Sequence, residues 1–459
     1  MSARRKSIKQ TERGVSARVV SPARLAAFSI LRRVEEEGAY ASLLLAASET
    51  AEMRADDRAL CYELVLGTLR RQLWLDRLME HYAGRNSASL DAPVRRALRL
   101  GLYQLRFLSR IPASAVVNES VNLAYVSRLR SAAAFINAVL RRATREPDYD
   151  PAADVADPLE RLSVETSHPA WLIERWVKAF GRDEAEAFAR ANNEAPPHAL
   201  RIVARRASEE EVLSEVRAAG GVAEPSQVAP AAWRVQGAAA VLQRLTLEGK
   251  IYLQDEASQL VAHVLDARAG ERVLDVCAAP GSKTTHIAAR TPELSIIVAG
   301  DLHEHRARTI LKTGTRQGVE HLSVVVHDAE NALPYAESSF DRVLVDAPCT
   351  GTGTLRRNPE IRWRISARDI LDLSRRQRGI LAGAARMVRP LGRLVYSTCS
   401  VEPEENEEVV AHFLDENNTF KQVALNTPPE ILGEDGAART WPHKSGADGF
   451  FIAAFERRS

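Results

Sequence analysis

The sequence predicts three structural regimes in succession: an all-α segment, a small α+β segment, and an α/β segment built on a largely parallel sheet. Three observations predict this. From about residue 20 to 145, apolar residues recur at helical spacing. Between Glu146 and Glu165 that periodicity fails, and Pro147, Asp148, Asp150, Pro151 and Pro158 cluster as linker residues. From about Ile251, short β-branched runs alternate with helical stretches, the pattern of strands joined by crossover helices. The expected divisions are a basic tail at 1–20, the helical segment at 21–145, the linker and small domain at 146–250, and the α/β domain at 251–459.

Composition sets the outer limits. The chain has 459 residues, 45% hydrophobic and 27% charged, as in a soluble globular protein able to bury a core. No apolar run reaches the roughly 18 residues that would span a bilayer. No apolar stretch follows the basic start Met1–Lys9, so no export signal is read, and a cytosolic protein without membrane contact is expected. A net charge of +2 excludes a polycation. Arg4, Arg5, Lys6, Lys9, Arg13 and Arg18 read either as a solvated tail or as a nucleic-acid contact.

There are four cysteines, Cys61, Cys277, Cys349 and Cys399. None forms a C-x-x-C pair and no histidine has ligand spacing, so neither a disulfide scaffold nor a metal site is expected. Each cysteine is either a small core residue or a reactive thiol.

In the first regime, Ser21-Pro22 reads as a helix N-cap with Pro at the first helical position. Ala27, Ile30, Leu31 and Val34 follow on one face, and Gly38 stops the helix. Leu98, Gly101, Leu102 and Leu105, entered through Pro93, form a second face. Ala132, Phe135, Ile136 and Val139 form a third. Cys61 lies beside Leu64 and Val65 and reads as core. In the second regime, Ile173, Trp176, Val177 and Phe180 mark a helix. Leu200–Val203 reads as a strand, Glu209–Ala218 as a helix and Gly220-Gly221 as a turn.

The third regime carries the chemistry. Its strand-like runs are Val273–Val276, Ile296–Ala299, Val324–Val326, Val343–Val345 and Leu394–Tyr396. Open α/β sheets bind ligands beyond the carboxyl ends of their strands. The first run leads into Cys277-Ala278-Ala279-Pro280-Gly281-Ser282-Lys283, whose small residues permit close backbone approach before a helix N-terminus. The second ends at Asp301, where a carboxylate can accept both hydroxyls of a ribose. The third ends at Asp328, placed for an adenine edge, and the fourth at Asp346. Acidic residues at three successive strand ends indicate a nucleoside-bearing cofactor. G-x-x-x-x-G-K-[ST] is absent, so the turn is no phosphate loop, and the missing G-x-G-x-x-G argues against a dinucleotide. Lys283 could face a cofactor carboxylate, face Asp346, or open a solvated helix.

Both Asp346-Ala347-Pro348-Cys349 and Ser397-Thr398-Cys399-Ser400 follow strand ends, so both thiols should emerge at the cofactor edge. Spacing alone does not say which one attacks. Together with Cys-Ala-Ala-Pro-Gly and Arg356-Arg357-Asn358-Pro359-Glu360-Ile361-Arg362-Trp363, these motifs resemble the RNA cytosine-C5 methyltransferase family. Ile111-Pro112, Asn118-Glu119-Ser120-Val121 and Phe135–Arg141 are similar to the antitermination factor NusB. Together the segments resemble bacterial methyltransferases of small-subunit (16S) rRNA, over nearly the whole chain. The resemblance implies a Rossmann-like class I methyltransferase domain with S-adenosyl-L-methionine as cofactor, held by residues 277–283, Asp301, Asp328 and Asp346. It implies 5-methylcytosine as product, Cys399 as the nucleophile on C6, Cys349 as its helper in release, and Asp346 on the cytosine N3–H. DNA cytosine methyltransferases resemble the opposite arrangement of thiols. One departure is Ser282, where the family commonly has glycine.

Arg356, Arg357, Arg362, Arg364, Arg368, Arg375, Arg376 and Arg378 crowd one segment around Trp363. This is read as RNA contact by phosphate pairing and base stacking, against the alternative of a solvated helix face. The acidic run Glu402–Glu408 is read as a solvated helix start. The expected partner is 16S rRNA or a small-subunit precursor, bound by a monomer. A tRNA-directed relative would share the catalytic motifs, but the NusB-like segment disfavours it. A non-catalytic RNA-binding assembly factor would be expected to lack Cys399 or Asp346, and both are present.

Overall fold

Among the described residues the regular structure of the first compact unit, Met1–Pro151, is helical, while the second unit, Ala152–Ser459, carries the sheets. The computed structural model describes residues 20–46, 50, 52–291, 295–319 and 321–459; the basic tail falls outside these residues.

In the first unit the helices Pro22–Glu36, Ala55–Arg70, Gln72–Ala83, Ala92–Phe107, Ala113–Val126 and Ala133–Arg145 surround one core. Ala27, Leu31, Val34, Leu98, Leu102, Ile136 and Val139 are buried in it, as is Cys61. Gly101 has a more specific role than a place on an apolar face. A Cβ there would come within 2.8 Å of the Leu140 side chain, so glycine allows two helices to approach. Ser21 precedes its helix but does not cap it. Its backbone N–H and hydroxyl both donate to Glu119, which also pairs with the buried Arg24. Tertiary contact overrides the local capping rule here. Residues 146–151 are not bare linker either: Tyr149 stacks on His81, and the Tyr82 hydroxyl donates to the Glu146 carbonyl.

The second unit opens with the helices Pro158–Thr166, Ala170–Phe180 and Arg182–Ala191. Pro158, expected to break structure, instead occupies the first helical turn behind an Asp157 cap. Trp176 and Phe188 are wholly buried at the centre of these helices, their rings 4.7 Å apart. Next come strand β1 (His198–Ile202), the helix Glu209–Ala218, β2 (Val222–Pro225), β3 (Ala232–Gln236), the helix Ala239–Leu247 and β4 (Ile251–Leu253). These strands form an antiparallel sheet in the order β2-β3-β1-β4, a βαββαβ unit. Ile251–Leu253, expected to begin the α/β domain, is therefore the last strand of the small sheet.

The α/β sheet contains β5 (Arg272–Asp275), β6 (Ile296–Asp301), β7 (Leu322–Val326), β8 (Phe340–Asp346), β9 (Val388–Thr398), β10 (Phe420–Val423), β11 (Ala438–Thr440) and β12 (Phe450–Arg457). Its order is β10-β12-β9-β8-β5-β6-β7, with β11 beside β12. Strands β5 to β9 are parallel, while β10, β11 and β12 pair antiparallel. The chain runs outward from β5 to β6 and β7, then returns to β8 on the other side of β5. That reversal opens a crevice at the carboxyl ends of β5 and β8. The loops from Val276 and Asp346 both enter it.

Candidate active site

Each of the two central strands delivers one charged group to the crevice. The loop after β5 turns at Gly281, whose φ of +93° is left-handed and where a Cβ would come within 3.1 Å of the Ile310 backbone. Ser282 then opens the helix Ser282–Arg290 without disturbing the turn. One residue later, Lys283 Nζ donates to Asp346 Oδ2 at 2.7 Å, and it lies 5.3 Å from the Phe450 ring. Among the readings open in the sequence, the structure selects the aspartate. Burial by itself would lower the Lys283 ammonium, but the Asp346 carboxylate outweighs it and holds the group above its ordinary value. Asp346 Oδ1 accepts from the Ser397 hydroxyl at 2.8 Å, so both carboxylate oxygens are oriented.

The thiols meet beside this pair. Cys349 Sγ and Cys399 Sγ lie 3.2 Å apart, each half-buried. Contact with the Cys399 sulfur, then burial, pushes the Cys349 thiol well above its ordinary value. Cys61 and Cys277 have no such partner thiol; burial pushes Cys61 up to about 11 and Cys277 upward as well. A backbone crossing fixes the loops. The Gly353 N–H donates to the Cys399 carbonyl and the Gly449 N–H to the Gly353 carbonyl. A Cβ on Gly353 would fall 1.9 Å from the Gly449 oxygen.

The expected cofactor residues line the strand ends. Ala278 is buried, Cys277 and Ala279 half-buried, and Pro280 exposed, with a cis bond between Ala279 and Pro280. Asp301 is buried, accepts the Ala279 and His303 backbone N–H groups, and lies 3.4 Å from Arg306. Asp328 is half-buried and caps its own turn through Glu330 N and Asn331 Nδ2.

Three supports were not legible in the sequence. Asp275, wholly buried, accepts from Thr284, and burial pushes its carboxyl up to about 7. His327 bridges Tyr335 and the Val276 carbonyl beneath the loop; any side chain on Gly300 would collide with its ring. Glu405 is fully buried within the run read as a solvated helix start, and Glu402 with it. Glu402 pairs with Arg175 and accepts from the Trp176 indole, so the solvated reading is wrong for both. The hydroxyls of Ser397, Thr398 and Ser400 so close to that run, each needing a partner if buried, were the available signal.

The structure also corrects the basic segment. Arg356 is buried and pairs with Asp448; Arg357 pairs with the buried Asp448 and Asp255. Arg362 is wholly buried and donates to the Ser167 carbonyl, the Asn192 carbonyl and Asn193 Oδ1. These guanidiniums hold protein segments together, Arg356 and Arg362 from buried positions and Arg357 from a half-buried one. Buried arginines are retained where such fixed forks satisfy fixed acceptors. Trp363 is half-buried, while Arg364, Arg368, Arg375 and Arg376 are exposed. Among the described residues no His, Cys, Asp or Glu group is arranged to hold a metal ion, and no helix is long and apolar enough to cross a membrane.

A switch-point crevice with a glycine turn at its first strand and carboxylates at its neighbours is the architecture of a class I, S-adenosylmethionine-dependent methyltransferase. Residues 262–456 match the family 16S rRNA methyltransferase RsmB/F. Residues 21–145 match the NusB family, and 168–242 the RsmF/B-like ferredoxin-like domain. The probable ribosomal RNA small subunit methyltransferase B of Bacillus subtilis (strain 168) is 34% identical over 94% of this chain and 98% of its own. The ribosomal RNA small subunit methyltransferase B of Pseudomonas putida is 35% identical over 86% and 90%. The crystal structure of PH0851 superposes with a TM-score of 0.82 at 30% identity, covering 96% of this chain and 99% of that one. NSun6 from Pyrococcus horikoshii with SFG shares the fold, with a TM-score of 0.58 at 22% identity over 63% of this chain and 98% of that one. The chain belongs to the 16S rRNA methyltransferase RsmB/F family.

The crevice residues suit S-adenosylmethionine. Asp301, at the end of β6, and Asp328, just beyond β7, carry carboxylate oxygens of the kind that accept hydroxyl and amino hydrogens of a nucleoside, and the first turn of Ser282–Arg290 has N–H groups of the kind that donate to a carboxylate.

Proposed function

We propose that this chain methylates carbon 5 of a cytosine in 16S rRNA through a covalent bond between Cys399 and carbon 6. The observation that carries this reading is the 3.2 Å contact of Cys399 with Cys349 beside the Lys283–Asp346 pair. Carbon 5 of cytosine is a poor nucleophile. Addition of the Cys399 thiolate to C6 moves the C5–C6 π pair onto C5 and makes it able to attack. Asp346, oriented by Lys283 and Ser397, acts as the acid: its proton passes to cytosine N3 as the thiolate adds, and the resulting carboxylate holds the N3–H. Bound S-adenosylmethionine supplies an electrophilic methyl group. Once C5 is methylated, water takes the C5 proton, the C5–H pair re-forms the C5–C6 double bond, the C6–S pair returns to Cys399 and the N3 proton returns to Asp346. Cys349 assists this elimination.

That Cys399 and not Cys349 attacks is what the family resemblance implies; contact with the Cys399 sulfur, then burial, favours the protonated form of Cys349. Cys277, Asp301 and Asp328, with the 277–283 turn, hold the cofactor.

Carbon 6 is hidden in a stacked helix, so the target cytosine has to be unstacked. Exposed Arg364, Arg368 and Arg375, with Trp363, are the RNA-facing residues of this segment, and the NusB-like unit adds affinity. The protein acts in the cytoplasm as a monomer. The test is bisulfite sequencing of 16S rRNA from a strain lacking the gene. One 5-methylcytosine should disappear and return with the wild-type chain but not with Cys399→Ala. An unchanged methylation pattern would overturn the substrate assignment.

A further inference from the structure

Glu405 joins the two cysteine loops through a single carboxylate. Its Oε1 accepts the Thr350 backbone N–H and Gln377 Nε2, each at 2.9 Å. Its Oε2 accepts the Thr350 and Ser400 hydroxyls, each at 2.5 Å. Thr350 immediately follows Cys349, and Ser400 immediately follows Cys399. One side chain thus grips the residue after each thiol.

The surroundings extend the clamp. Gln377 Nε2 also donates to the Pro348 carbonyl at 2.8 Å, so Cys349 is bracketed on both sides. Asn406 accepts from the Thr398 hydroxyl at 2.6 Å and donates to the Ser400 carbonyl at 3.0 Å, bracketing Cys399. The Tyr396 hydroxyl donates to the carbonyl of Glu405 itself at 2.6 Å. A carboxylate has about four lone-pair sites, and four donors already fill them. Glu405 therefore has no acceptor left for a substrate proton. Its burial would be costly without these bonds, which makes the arrangement all-or-none.

We propose that Glu405 is a positioning residue of the methyltransferase centre, fixing the separation of the Cys349 and Cys399 sulfurs by holding the residue that follows each. The inference rests on the two-thiol reading of the site. The thiols sit on loops from different strands, so their distance is not set by either loop alone. A displacement of about 1 Å between reacting groups costs on the order of 100-fold in rate.

The geometry also says which substitution should rescue. Glu405→Gln keeps the side-chain length. The new amide oxygen can accept from the Thr350 N–H and Gln377, and the amide nitrogen can donate to the two hydroxyls. Glu405→Ala removes every arm. The experiment compares wild type, E405A and E405Q as full-length protein. The first readout needs no RNA: diamide takes one hydrogen from each thiol, is reduced to its hydrazine, and leaves a Cys349–Cys399 disulfide, read by mass. E405A should cross-link several-fold more slowly than wild type, because the sulfurs touch less often, and E405Q should follow wild type. The second readout is methyl transfer. E405A should lose about 100-fold in kcat with KM for RNA and cofactor affinity within about twofold, and E405Q should recover most of it.

Wild-type cross-linking and kcat in E405A would overturn the proposal. So would a parallel loss of kcat, cofactor affinity and thermal stability in E405A and E405Q alike, which marks a residue needed only for folding. If E405A does not fold, Thr350→Val and Ser400→Ala each remove one hydroxyl arm; cross-linking unchanged in both would sink the idea. Should wild type prove unable to methylate RNA, the proposed function fails, yet the diamide comparison still decides the role of Glu405.

Discussion

Lys283 Nζ sits 2.7 Å from Asp346 Oδ2, joining the first turn of the helix after β5 to the carboxyl end of β8. The bond crosses the switch point of the sheet. It ties the glycine turn after β5 to the Asp346 carboxylate, with Ser397 from β9 holding the other oxygen.

Asp346→Asn should lower kcat at saturating cofactor by about 10²–10⁴-fold, the usual weight of a positioned acid or base. Lys283→Met should act in the same direction, because an unheld Asp346 can rotate away from N3. Single-turnover methyl transfer is the measurement. A Lys283→Met enzyme with wild-type kcat would place that ammonium outside the chemistry.

The sulfur pair gives a second prediction. Cys349→Ala should accumulate a denaturant-resistant protein–RNA adduct when incubated with 16S rRNA and cofactor, because addition proceeds and elimination stalls. Adding Cys399→Ala should abolish the adduct on a denaturing gel. An adduct that persists without Cys399 would reverse the roles of the two thiols.

Asp275 predicts a pH dependence. In the unfolded chain its carboxyl ionises near 3.8, whereas in the folded protein burial pushes it up to about 7. Between those values the folded state binds more protons, so this group stabilises the fold at low pH and the contribution is lost as pH rises towards 7. Asp275→Asn removes the ionisation, so its Tm relative to wild type should climb from pH 4 to pH 7 and then level off. Comparing the two proteins at each pH cancels the other titrating groups. A constant Tm difference across the window would show that Asp275 is not buried as described.

Arg362 and Arg364 should separate structure from RNA contact. Arg362→Ala removes three hydrogen bonds from a charged group, at roughly 1.5–3 kcal/mol each. It should lower Tm without changing the salt dependence of RNA binding in the protein that remains folded. Arg364→Ala should leave Tm alone and reduce the slope of log K against log salt by about one. The reverse pattern would restore Arg362 as an RNA contact.

The sequence was informative wherever a residue's role depends on its neighbours along the chain. The parallel strands and helical faces followed from periodicity. Cys349, Cys399 and Asp346 could be placed at one sheet edge because each follows an apolar run, and strand ends in such sheets share an edge. The reading failed where partners are distant in sequence. Arg356, Arg357 and Arg362 looked like an RNA face because Asp448, Asp255, Ser167 and Asn192 lie far away along the chain. Glu405 looked solvated because local composition cannot reveal that Thr350 and Gln377 fold onto it.

By itself, then, the sequence determined the succession of helical, α+β and α/β regimes and the gathering of two thiols and a carboxylate at one edge. Both depend on hydrophobic periodicity, which is a local property. Only the tertiary structure decided that the sulfurs touch, that Lys283 turns to Asp346, and that one buried glutamate ties both cysteine loops together. Those contacts join segments tens of residues apart, and their geometry exists only once the sheet has brought its strand ends together.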